Sequence, residues 1–206
     1  MKKDNFNPKN IYCRNVAGSA EILQQKTVGI AGCGGLGSNI AIALARSGVG
    51  NMILVDYDLV ELSNLNRQYF FLQDVGELKA LALANHIKKI NPRINLEVHI
   101  CKLRATDVKK IFGDVDLLLE AFDKAESKKW LIESWMKLQP NKPIICGSGI
   151  SGLGKTAALR VEKSGNIIMC GDQRSEMSQG LAAPRVAIVA NMQANEAVEY
   201  LVGEKR

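Results

Sequence analysis

The 206-residue chain predicts an α/β fold: a mostly parallel sheet flanked by helices, with antiparallel strands added in the C-terminal third. Three observations carry this prediction. Short apolar runs alternate with stretches of helical periodicity, the signature of βαβ units and a parallel sheet. The glycine-rich turn Gly32-Cys33-Gly34-Gly35-Leu36-Gly37 stands between the first apolar run and the first helical one. From Lys155 onward two strand-like runs meet at the turn Lys163-Ser164-Gly165-Asn166, which reads as a hairpin.

In chain order, residues 1–26 form a polar N-terminal arm or helix, and Thr27 to Ala31 is a short strand of the buried type. Ser38 to Arg46 is a helix and Met52 to Val55 a second strand, completing a βαβ unit. Val75, Leu78, Leu81, Leu83, Ile87 and Ile90 recur at helical spacing until Asn91-Pro92 stops them, so Lys79 sits on a helix. A strand follows at Ile94 to Ile100, a short helix near Ala105 to Phe112, and a strand at Val115 to Ala121. A helix over Lys124 to Leu138 and a strand at Pro143 to Cys146 continue the alternation. The hairpin strands span Thr156 to Glu162 and Asn166 to Met169. Residues 171–183, polar, glycine-bearing and aperiodic, predict a mobile crossover loop, after which Pro184 opens a final helix running to about Leu201. Without repeats or interdomain linkers, the expectation is one domain over residues 1–206.

Apolar residues at 47% and charged residues at 23% are ordinary globular values. No apolar run approaches the roughly 20 residues that cross a bilayer, and Met1-Lys2-Lys3 leads into polar residues where a secretory signal is apolar. The expectation is a cytoplasmic protein without a membrane partner. Cys13, Cys33, Cys101, Cys146 and Cys170 are widely spaced and odd in number, which predicts neither a disulfide framework nor a zinc site. The net charge of +6 is spread along the chain and aromatics are only 5%, so nucleic acid is not the expected main partner.

Gly32, Gly34 and Gly37 hold the G-x-G-x-x-G positions, with Gly35 between them, directly after a strand and at the mouth of a helix. That context makes the loop a phosphate cradle, because unpaired N–H groups and the helix dipole favour an anion. Asp56 ends the next strand, where a carboxylate accepts ribose hydroxyls. Asp58 reads equally as a second polar contact or a turn residue. Arg67 and Lys79 separate a nucleoside triphosphate from a nicotinamide dinucleotide: hydride transfer needs no pair of cations, whereas a displaced pyrophosphate does. Asp123 follows a strand at the C-terminal edge of the sheet, where it is either a magnesium ligand or the N-cap of the next helix.

Two further features need context. Gly149 to Thr156 matches G-x-x-x-x-G-K-T, yet the residues after it lead into a strand and a turn, whereas a P-loop opens a helix. Lys155 is therefore expected to be a surface cation. Cys170, beside the predicted loop, is the better candidate for a transient thioester or persulfide than Cys33, with a buried structural thiol as the alternative. His86 and His99 lack partner spacing.

Taken together, the segments Gly32 to Gly37, Gly48 to Asn51, Val55 to Asp58, Ser63 to Gln68, Gly76 to Lys79, Asn91-Pro92 and Asp123 resemble, in their order, the ThiF/MoeB family, bacterial relatives of the ubiquitin-activating enzymes. The resemblance implies a Rossmann-like fold and ATP-dependent adenylation of the C-terminal glycine of a small ubiquitin-like sulfur carrier. It implies that Asp56 holds ribose, that Asn64, Arg67 and Lys79, with Gln68 beside them, contact phosphates, and that Asp123 serves Mg2+ and the reacting centre. It also implies a homodimer in which Arg14 reaches the neighbouring subunit's site. The absence of Cys-x-x-Cys pairs departs from the zinc-bearing relatives, residues 171–183 carry no cysteine, and the short chain resembles the compact ThiF-like branch of thiamine synthesis. These features favour ThiS, ending in Gly-Gly, as the carrier. The competing readings are an enzyme adenylating a MoaD-like carrier, a peptide or a tRNA base, a nicotinamide oxidoreductase, and a non-catalytic nucleotide-bound scaffold.

Overall fold

The computed structural model describes residues 11–203; the Met1-Lys2-Lys3 start lies outside them. Seven strands form one sheet: β1 (Thr27–Ala31), β2 (Asn51–Val55), β3 (Asn95–His99), β4 (Leu117–Glu120), β5 (Ile144–Gly147), β6 (Arg160–Ser164) and β7 (Ile167–Gly171). Their spatial order is β3-β2-β1-β4-β5-β7-β6. Every pairing is parallel except the β6/β7 hairpin; β7 joins β5 in parallel, so β6 alone runs against the sheet. The helices are α1 (Ser19–Leu23), α2 (Gly35–Ser47), α3 (Lys79–Ile90), α4 (Val108–Phe112), α5 (Ala125–Leu138) and α6 (Ala183–Val202).

Strand side chains alternate between two cores, as period-2 geometry requires. Val28, Ile30, Met52, Leu54, Leu117, Leu119 and Ile145 face one core, which α2, α3 and α6 complete with Ile40, Leu44, Leu83, Val189 and Ala197. Ala31, Ile53, Val55, Leu118, Ile144 and Cys146 face the other, closed by Phe112 of α4 and by Leu131 and Trp135 of α5. Burial on both faces explains why the inner strands read as unbroken apolar runs. Gly29 of β1 lies under the Phe112 ring, where a Cβ would come within 2.6 Å of it. The chain leaves β1 towards β2 on one side and returns from β3 to β4 on the other, so the strand order reverses between β1 and β4. Crevices of open α/β sheets lie at that switch point, outside the carboxyl ends of the strands.

Several boundaries differ from expectation for identifiable reasons. Residues 75–78 stay outside α3, because Gly76 takes φ +91° and Leu78 bridges to Leu59 before the helix starts. The first hairpin strand begins at Arg160, because Lys155 is left-handed at φ 50° and Thr156–Ala158 forms a 3-10 turn. The short helix α1 lies within the N-terminal arm or helix expected over residues 1–26, and it has too few apolar positions to show a period.

Trp135 is fully buried, and its indole N–H donates to the Lys142 carbonyl at 3.1 Å. Trp135→Ala should therefore lower unfolding free energy by about 3–5 kcal/mol, read from the denaturant midpoint, with Trp135→Phe costing less because the ring volume is partly kept.

Candidate functional site

A cleft of about 950 Å³ opens at the switch point. It is lined on one side by the glycine loop, Asp56, Asp58, Asn64, Arg67, Gln68 and Lys79, and elsewhere by Asp123, Lys128 and residues 147–151. A second groove, of about 480 Å³ beside Val161, Ile188 and Met192, is open and offers few convergent polar groups.

The loop between β1 and α2 is shaped by close approach. Gly32 has φ +97°, and a Cβ there would lie 2.9 Å from the Ala121 carbonyl oxygen. At Gly37 a Cβ would overlap the Gly32 carbonyl, so α2 can start tight against β1 only with glycine at that position. Gly34, with φ −81°, is different: the nearest group to its missing side chain is the Gln68 amide nitrogen, 3.8 Å away. That opening lies before the first turn of α2, whose N–H groups have no partner within the helix. Buried Gln68 has an Oε1 without a hydrogen-bond partner among the described residues.

Asp56 braces this loop. Its Oδ2 accepts the Cys33 N–H at 2.6 Å and its Oδ1 the Asp58 N–H at 2.8 Å. Burial pushes the Asp56 carboxyl above its usual range, against the lowering pull of those two N–H groups and of Lys79. Asp58 is more than a turn residue: its carboxylate pairs with the Lys79 ammonium at 3.0 Å, and Lys79 is buried. Asn64 Oδ1 accepts the Glu61 N–H at 3.1 Å, which caps a 3-10 turn and fixes the residue below the cleft. Arg67, half-buried, donates through Nη1 to Asn66 Oδ1 at 2.7 Å and to the Ser63 carbonyl at 3.2 Å. Two α2 residues outside the sequence-derived set hold this segment: Asn39 donates to the Arg67 carbonyl at 3.0 Å, and the Ser38 hydroxyl accepts the Tyr69 N–H at 2.9 Å. Their polar side chains near a helix start were the only signal available.

Asp123 lies exposed on the opposite rim and is not an N-cap; Lys124 holds that position, with no side-chain capping bond. Beneath it Glu120 is fully buried, accepting the Phe122 N–H at 2.6 Å and both of its oxygens taking the Lys128 ammonium at 2.9 and 3.0 Å. Burial pushes Glu120 up, with the Lys128 charge offsetting part of that rise. Buried Gln193 of α6 donates to the Glu120 and Ile145 carbonyls, tying the ends of β4 and β5 together. Neither interaction was legible in the sequence.

Arg14 is not brought to this cleft. It is exposed between Tyr12, which donates to the Ala45 carbonyl, and Asn15, which donates to the Ser47 carbonyl. Both anchors sit at the C-terminal end of the 13-residue α2, whose N-terminus faces the cleft, and at 1.5 Å per residue the helix separates them by about 20 Å. Cys170 is fully buried, and burial pushes its thiol up to about 12. It therefore stays a neutral thiol at physiological pH, which removes it as a thiolate nucleophile in this conformation. Lys155 is exposed, and the residues after it turn into β6, so the Gly149 to Thr156 loop is not a P-loop. Among the described residues no group of three or more His, Cys, Asp or Glu could cage a metal ion, and no helix is long and apolar enough to cross a membrane.

Glu120 also sets a pH signature. A carboxyl raised in the folded state contributes stability below its unfolded value, near 4.5, and that contribution is lost as pH rises through the folded value. Wild-type stability should thus fall relative to Glu120→Gln as pH rises from about 4.5 towards neutrality, a difference that thermal melts of both proteins across this range would show.

The ThiF family model matches residues 12–206. The adenylyltransferase and sulfurtransferase UBA4 of Candida albicans is 30% identical over 190 residues, covering 88% of this chain and 43% of that protein. The ubiquitin-like modifier-activating enzyme 5 of Drosophila persimilis is 37% identical over 126 residues, covering 55% of this chain and 33% of that protein. The chain thus spans less than half the length of these two relatives. The E. coli tRNA N6-threonylcarbamoyladenosine dehydratase, crystallised with ATP, superposes with a TM-score of 0.83 at 20% identity, covering 93% of this chain and 92% of that one. With a two-faced, mostly parallel sheet, a glycine loop at its switch point and a family match running almost the whole length of the sequence, the chain belongs to the ThiF family.

Proposed function

We propose that this protein is an ATP-dependent adenylyltransferase that activates the C-terminal glycine carboxylate of a ThiS-like, ubiquitin-like sulfur carrier. The observation that carries the reading is the convergence of Asp56, Asn64, Arg67, Gln68 and Lys79 around the glycine loop, with Asp123 across the cleft. The loop and the unpartnered Gln68 Oε1 fit a polar ligand at the α2 N-terminus. Asp56, already bracing the loop, would accept ribose hydroxyls, while Asn64, Arg67 and Lys79 would take the phosphates.

The carrier carboxylate would attack the α-phosphorus, forming the acyl-adenylate and releasing pyrophosphate. Lys79 would leave Asp58 for the departing phosphates, and Arg67 would turn from its own 3-10 segment towards them. Most of the rate enhancement would then come from positioning and preorganised charge. Asp123 would hold Mg2+ together with phosphate oxygens, the arrangement expected of a cation bound through one or two carboxylates rather than a protein cage. No zinc is proposed.

A ThiS-like carrier is favoured because residues 171–183 hold no acceptor cysteine and Cys170 is buried. Arg14, far from its own cleft, would act only by reaching a second copy's site, which makes a homodimer part of the proposal. A second reading, a tRNA base as acceptor, is supported by the name of the tRNA dehydratase neighbour.

With a ThiS-like carrier ending in Gly-Gly, purified protein and magnesium should catalyse carrier-dependent ATP–pyrophosphate exchange. Arg67→Ala should slow it about a hundredfold, roughly 3 kcal/mol by analogy with the loss of one oxyanion donor. Exchange driven by tRNA and not by any carrier would transfer the proposal to the second reading; full activity in Arg67→Ala would remove Arg67 from the mechanism.

A further inference from the structure

The cleft has a second wall that the nucleotide does not explain. It is built from residues 147–151 at the end of β5, from Ser175, Glu176 and Leu181 of the crossover segment, and from Val186 of α6. Gly149, Ile150 and Ser151, the first three residues of the G-x-x-x-x-G-K-T pattern, line this wall. One buried ion pair underlies it. The Asp172 carboxylate pairs through Oδ2 with Arg185 of α6, and both residues are buried. Asp172 Oδ1 accepts the N–H groups of Arg174 and Ser175 at 2.9 and 2.8 Å. The Arg185 guanidinium extends past it to the Gly154 carbonyl at 2.6 Å.

These contacts link two loops that the sequence separates. Ser175 Oγ accepts the Ser151 N–H at 3.1 Å, Gly152 N–H donates to the Gly180 carbonyl at 2.9 Å, and Gln173 N–H to the Ser148 carbonyl at 3.2 Å. Gly149 takes φ +72°, and a Cβ there would overlap Asp172 Oδ1, so glycine at this position serves the ion pair and not a phosphate. The nucleotide wall is held by other bonds, those of Asp56, Asp58, Ser38 and Asn39. At the rim the walls are bridged by a long hydrogen bond, from Asn66 Nδ2 to the Leu181 carbonyl at 3.4 Å, while behind the cleft Val186 of α6 and Leu36 of α2 share one apolar core.

We propose that Asp172 and Arg185 are positioning residues for the acceptor: their buried pair locks the Gly149–Gly154 loop and the crossover segment into one wall that guides the acceptor carboxylate, independently of ATP binding. This rests on the adenylyltransferase reading for the identity of the acceptor, while the coupling of the two loops stands on the contacts alone. A charge-assisted pair suits the task because it is strong and directional, and the arginine fork serves a carboxylate and a carbonyl at once.

Removing one partner would strand a buried charge, so the decisive variant is the neutral double substitution Asp172→Asn/Arg185→Met, with Arg185→Lys as the conservative control. In the wild type and both variants, hydrogen exchange, ATP affinity by calorimetry and carrier-dependent ATP–pyrophosphate exchange would be measured. The double variant should speed amide exchange at least tenfold in residues 148–154 and 173–182 together, leaving residues 32–38 unchanged. Its ATP Kd should stay within twofold, while the KM for a Gly-Gly carrier rises at least tenfold and kcat changes less than threefold. Arg185→Lys should recover part of the KM. Loosening of one loop alone, a carrier KM unmoved in folded protein, or loss of ATP affinity in step with the carrier KM would overturn the proposal. If the double variant fails to fold, the same criteria apply to Arg185→Lys, with a threefold rise in carrier KM expected. If the wild type shows no exchange with any carrier, the acceptor reading fails, while amide exchange still decides whether the pair couples the loops.

Discussion

The contact of Gly37 with the Gly32 carbonyl governs the placement of the helices and of the cleft. A side chain at residue 37 would push α2 off the end of β1, because the space its Cβ needs is already filled by that oxygen. With glycine there, α2 starts at the switch point between β1 and β4 and points its unpaired N–H groups into the cleft. On the same face of the sheet α2 packs along α6, and α6 delivers Gln193 to the ends of β4 and β5. The close approach of α2 to the end of β1 thus depends on the absence of one side-chain atom.

Charges in the cleft form one pair that is open to water and one that is enclosed. Lys79 and Asp58 are of the first kind: the lysine side chain is 10% exposed and the aspartate 49%, so the anion is the partner that water can reclaim. Glu120 and Lys128 are of the second kind, with the carboxylate fully enclosed and its oxygens occupied by Lys128 and the Phe122 N–H. Burying such a carboxylate is costly without a partner. Its position directly under the Ala121 to Asp123 turn gives that cost a structural use, because the turn presents the Asp123 carboxylate on that rim.

The cleft also divides by the origin of its walls. The wall that carries the glycine loop is made by the first half of the chain, in which strand, loop and helix succeed one another within a few residues. The opposing wall is made by the hairpin approach and the crossover segment, which meet only because β7 slips between β5 and β6 in the sheet. That insertion places Gly171 and Asp172 beside Ser148 and Gly149, where the Asp172–Arg185 pair can join two otherwise unrelated loops.

The alternation of strands and helices, the glycine loop, and the placement of Asp56, Arg67 and Lys79 were all determined by the sequence itself. Each is a local matter of backbone geometry or of which face a residue takes, and such information lies within one or two turns of chain. The strand start at Arg160 was misplaced because a left-handed Lys155 leaves no compositional mark. The partners of Asp58, Glu120 and Arg185, the reach of Gln193 and the distance of Arg14 from its own cleft were decided only by the tertiary structure. Each depends on which strands become neighbours and how deeply a group is buried, and the pairing of polar groups across tens of residues is set by the order of the sheet rather than by any local pattern.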